Sequence, residues 1–84
     1  MHPAKRGRLA AAAAEAIIAS EPCTREEMEA MIRELAKSKT LFANEISKHL
    51  VKGTEISPDL ACFLLGEEYF RCDPDWVRHL KGLL

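Results

Sequence analysis

No two cysteines in this chain are spaced as a CxxC ligand motif, and the three present, Cys23, Cys62 and Cys72, are odd in number and far apart. An odd set cannot close wholly into intrachain disulfides, which points to free thiols in a reducing compartment; structural zinc, which wants close ligand pairs, is not expected. Glycine is scarce and scattered, so Gly53 and Gly66 stand as isolated turn residues and nothing resembles a phosphate-cradling loop. Long apolar runs are missing as well. The richest stretch, Leu9 to Ser20, is mostly alanine, is broken by Glu15, and is too short to span a membrane. It follows a few basic residues and so imitates an export signal, but the rest of the chain lacks the paired cysteines of exported domains. The expectation is therefore a cytoplasmic chain without membrane attachment. Nor does one sign of charge dominate: the net charge is −1, which excludes a general polyanion binder.

What is present is helix-forming sequence. Ala, Leu, Glu, Lys, Arg and Met recur, residues that lose little conformational freedom in a helix, while alternating strand patterns are hard to find. The 84 residues suit one domain, 1–84, and a chain of this size buries only about 60–65% of its unfolded surface, so the core is small. The fold class is all-α, a compact bundle of about five short helices. The first is expected over Arg8 to Ala19, stopping before Glu21-Pro22, with Leu9, Ala13, Ala16 and Ile17 as its packing face. The second starts at "TREE", a capping box of Thr24 and Glu27, and carries an inward stripe of Met28, Met31, Ile32 and Leu35. The third runs from Leu41 to Lys52 and ends at Gly53. Its spacing places Phe42, Ile46 and Leu50 inward and Asn44, Ser47 and Lys48 outward. The fourth opens at "SPD" with Ser57 as cap and continues as "LACFLL", apolar all round and hence central, with Cys62 as a core thiol. The last opens at "DPD", with Asp73 as cap and Trp76, Val77 and Leu80 as its apolar side. Between these two, "GEEYFRC" reads as a short connection.

Catalytic chemistry has no obvious foothold. His49 and His79 are single histidines on amphipathic helices, and Glu67 and Glu68 are adjacent residues pointing to different sides, a poor arrangement for paired acid and base work. The chain is read as no enzyme, with no cofactor and no metal ligands implied.

Two kinds of binding remain. Charge comes in blocks: residues 1–20 carry +2, residues 21–36 carry −3, residues 37–52 carry +3 and residues 53–84 carry −3. The basic third block contains "IRELAKSKTLFANEISKHL", which, aligned from Ile32, resembles the phage-repressor type of helix-turn-helix. Leu35-Ala36 match the small-residue contact site, Leu41 the position after the turn and Ile46 the inward anchor. Thr40 stands where that family has its turn glycine, and His49 where it has an apolar anchor. The resemblance implies that Phe42, Ala43, Asn44, Ser47 and Lys48 face the major groove of DNA, Asn44 against an adenine edge and Lys48 against guanine or phosphate.

The other kind is protein contact. Four of the five aromatic residues fall within "FLLGEEYFRCDPDW". Phe70 and Trp76 are expected to close the core, because aromatic side chains bury large areas in small domains. Tyr69, Arg71 and Arg78 are the surface candidates, being residue types favoured at interface hot spots. Protein contact ranks first because the phosphate attraction that dominates DNA affinity needs more positive charge than this chain has. The leading expectation is a small non-catalytic regulator, an adaptor or inhibitor of a larger protein, with DNA as the alternative partner. Self-association through the Ala-rich first helix and the terminal "LL" is open in either case.

Overall fold

The computed structural model describes residues 3–20 and 24–84, with side chains from residue 8 onward. Six helices follow one another among these residues: α1 Pro3–Ala19, α2 Arg25–Lys37, α3 Leu41–Gly53, α4 Pro58–Leu65, α5 Glu68–Arg71 and α6 Pro74–Lys81. The all-α bundle is as expected. The segment read as a connection contains α5, a single turn in which the Phe70 and Arg71 N–H groups donate to the Glu67 carbonyl. Four residues are too few to show a helical period, so only the closed turn reveals them. Cys23 and the Glu21-Pro22 stop lie outside the described residues.

The expected caps form. Thr24 and Glu27 close a reciprocal capping box on α2, with Glu27 N–H donating to Thr24 Oγ1 at 3.1 Å and Thr24 N–H to Glu27 Oε1 at 3.3 Å. Asp73 Oδ1 accepts the Asp75 N–H at 3.0 Å, and Pro74 opens α6. Ser57 caps α4 by accepting the Leu60 N–H at 3.2 Å. Its own hydroxyl and N–H donate to the Glu29 carboxylate at 2.8 and 2.9 Å, so one serine both starts α4 and ties it to α2.

The Cα atoms span 34 × 32 × 19 Å, and since a helix with its side chains is about 10–12 Å across, the short axis holds two layers. The core runs through Met28, Ile32 and Ala36 of α2, Leu50 and Val51 of α3, Leu60, Ala61 and Leu64 of α4, and Phe70, Trp76 and Leu80 at the C-terminal end. Phe70 is fully buried and meets Trp76 edge to face at 5.2 Å between centroids, as expected of the residues closing the core.

Among the apolar, glycine and cysteine residues, four placements differ from expectation. The packed side of α1 is Ala10, Ala14 and Ile17, set against α3, while Leu9 and Ala16 are exposed. Alanine carries too little side chain to mark a face by hydropathy, so the close approach decides it. Gly53 is the last residue of α3 and not a left-handed cap beyond it. Its missing side chain leaves room for the tip of the Ile18 side chain of α1, because a Cβ there would lie 2.7 Å from Ile18 Cδ1. Phe42 is only half-buried. Cys62, finally, is exposed and not a core thiol. An eight-residue helix packed on α2, α5 and α6 still keeps one side in water, and Cys62 is on it.

Burial by itself would raise the pKa of the Glu29 carboxyl. The Ser57 hydroxyl and amide, with Arg25 Nε at 3.4 Å, outweigh it and hold the carboxyl below the ordinary glutamate range. A folded-state value below the unfolded one adds stability that is complete above the unfolded value and drains as pH falls through the folded value. Glu29→Gln should cost about 1–2 kcal/mol near neutral pH. Urea melts of parent and variant across the acid range should converge as pH falls; parallel curves would contradict this role for Glu29.

Candidate functional site

α2 ends at Lys37, and the chain turns through Ser38, Lys39 and Thr40 into α3. The last carbonyls of a helix lack intrahelical partners. Here they are met by Asn44, whose Nδ2 lies 3.0 Å from the Leu35 carbonyl, 3.2 Å from that of Ala36 and 2.9 Å from that of Ser38. Two amide hydrogens shared among three acceptors fasten the corner to the third helix. Ser47, one turn on, is fully buried and donates to the Asn44 carbonyl at 2.6 Å. Both residues were expected to face outward, and both face the bundle. Asn44 serves a helix end that needs donors and Ser47 satisfies its hydroxyl within α3, so hydropathy alone reads the face of α3 wrongly.

Lys48 is also drawn in. Its side chain is only 16% exposed, with Nζ 4.2 Å from the Tyr69 ring centroid, 5.7 Å from those of Phe70 and Trp76, and 3.6 Å from Asp73 Oδ2. A cation over aromatic faces gains about 0.5–2 kcal/mol, more as water is excluded. Tyr69 completes the link by donating its hydroxyl to the Glu45 carboxylate, one turn before Lys48 on α3. Lys52 lies over Trp76 from the next turn, at 5.7 Å. Thus α5 and the start of α6 are fixed to α3 by charge and aromatic contact.

These two anchorages leave a groove. One wall is the α2–α3 corner with Lys37, Ser38 and Lys39; the other runs from Gly66 through α5 to Pro74; Asn44 lies between them. The groove is open to solvent and encloses about 980 Å³. Tyr69 and Arg71, two of the three expected protein-contact residues, line it. Tyr69 is half-buried, with its hydroxyl and one ring face engaged inside the bundle, so it is a wall more than a free hot spot. Arg71 is exposed. Arg78 is exposed on α6, 3.7 Å from Asp75, and does not line the groove. Of the expected DNA-contact set, Asn44 reaches the groove only as its floor, Ser47 is inside, and Lys48 lies under Tyr69.

Sequence reasoning missed Lys39, Glu67 and Glu68 as groove residues. The two glutamates drew notice only as an acid–base pair, and the acidic start and basic end of "EEYFR" become a surface only once that segment is known to be a helical turn. No family model matches this chain, and no curated protein and no solved structure matches it either. Among the described residues, no helix is long and apolar enough to cross a membrane.

Asn44→Ala would remove the side-chain donor shared by the Leu35, Ala36 and Ser38 carbonyls, at a cost of about 1–3 kcal/mol. Thermal melts should show a drop of roughly 4–20 °C on the usual scaling for small domains. A melt unchanged by Asn44→Ala would mean that the amide faces water.

Proposed function

We propose that this chain is a small non-catalytic binding protein that acts by contacting another protein through the groove between the α2–α3 corner and α5. The observation that carries the reading is that both walls are pre-set: Asn44 holds one, and Lys48 with Tyr69 holds the other. A surface already ordered before binding loses little conformational entropy on association. The groove is also open and lined by charged residues of both signs, which suits a polypeptide segment better than the enclosed apolar pocket that a small substrate favours. Arg71 and Lys39 are exposed cations on opposite walls, whereas Lys37 is paired with Glu34, and they are assigned the leading contacts.

The repressor-like reading draws less support, since the side chains it would offer to DNA are engaged within the bundle. Affinity capture from the source cell, with and without nuclease, separates the two. Lys39→Glu with Arg71→Glu should cut recovery of a protein partner at least tenfold and leave the melt within about 0.5 kcal/mol of the parent, as expected of surface substitutions. Nuclease should change nothing. Capture that is lost on nuclease treatment and indifferent to the double substitution would contradict the proposal.

A further inference from the structure

Charges at helical spacing pair elsewhere on this molecule. Arg25 lies 3.4 Å from Glu29, Lys37 lies 3.6 Å from Glu34 and Arg78 lies 3.7 Å from Asp75, each three or four residues apart. On the α5 wall, Glu67 and Glu68 precede Arg71 by the same four and three residues. Yet no ion pair joins them among the described residues, and Lys39 on the facing wall makes none either. The groove thus presents two acidic and two basic side chains left unneutralised by one another, while Asp73, the remaining acid in its lining, is matched by Lys48.

We propose, resting on the protein-contact reading above, that the groove takes an extended segment of a partner protein bearing one acidic and one basic side chain two residues apart. The acidic side chain meets Arg71 and Lys39, and the basic one meets Glu67 and Glu68. The spacing follows from geometry. Residues three or four apart on a helix place their Cβ atoms about 5–6 Å apart. Side chains on one side of an extended chain recur every second residue, about 6.4–6.8 Å apart. The backbone of Ser38 and Glu67 and the Gly66 N–H are bonded within the chain, which leaves the Lys39 backbone on the corner wall to meet a ligand whose own amide groups are free to bond, as those of an internally paired helix are not. Exposed ion pairs add little affinity, so the charges act mainly by selecting sequence and register.

A displayed library of random heptapeptides, panned on the full chain, tests this. Peptides with an acidic and a basic residue two apart should be enriched at least tenfold over the input. Arg71→Glu, which makes the α5 wall wholly acidic, should keep the parent melt, lose those peptides at least tenfold and enrich peptides carrying two basic residues instead. Enrichment of uniformly acidic, apolar or helical-period peptides on the parent chain, or no enrichment, overturns the pairing rule. If the rule fails while Lys39→Glu with Arg71→Glu still abolishes protein capture, the binding reading stands without it; if capture is unaffected too, both fall.

Discussion

The arrangement of the C-terminal half depends on bringing one ammonium group, that of Lys48, out of water. A lysine with a mostly covered side chain needs compensation for lost hydration, and no single partner here is close enough to supply it alone. Compensation comes jointly from the Tyr69, Phe70 and Trp76 rings and the Asp73 carboxylate. Those four belong to α5, the α5–α6 turn and α6, so the lysine is satisfied only when all of them are in place. Because Asp73 also caps α6, the same carboxylate starts the last helix and orients it toward α3. Phe70 and Trp76 in turn present their other sides to the core, which couples the charge to hydrophobic burial.

Two further polar links repeat this pattern of joining elements distant in sequence. Glu29 ties α2 to the start of α4, and Asn44 ties the end of α2 to α3. Each occupies a helix terminus, where backbone groups are otherwise unmet. Among the described residues, α1 meets α3 by close approach of alanines and a glycine, through dispersion contacts. The bundle can be thin because its helix ends are closed by side chains from neighbouring helices, and a thin bundle with fixed ends leaves an open groove in place of a cavity.

Much of this was legible in the sequence. The capping box at Thr24, the Ser57 and Asp73 caps with their prolines, and the stripe through Met28 and Ile32 mark three helix starts and one buried face, because caps and periodicity act locally. The buried pair of Phe70 and Trp76 was legible from size alone. The rest was not, for reasons particular to each residue. Asn44 is a polar residue buried because a neighbouring helix end needs donors, a need that arises only once α2 and α3 meet, and Ser47 is buried with its hydroxyl bonded back to the Asn44 carbonyl of its own helix. Cys62 sits in an apolar run but on the side of a short helix that nothing covers. Lys48 reads as a solvated cation until the aromatic residues some twenty positions later fold over it, and the groove exists only through that long-range contact.

If Lys48 holds the C-terminal elements to α3, its removal should loosen them and spare the remainder. Amide hydrogen exchange on Lys48→Ala measures this residue by residue. The amides of Phe70, Arg71, Cys72 and Val77 should exchange at least tenfold faster than in the parent, a change of about 1.4 kcal/mol that matches the upper range of a desolvated cation–aromatic contact. The amides of α1 and α2 should keep their protection relative to global unfolding. Uniform loss of protection across all helices, or none at α5 and α6, would contradict the central place given to Lys48.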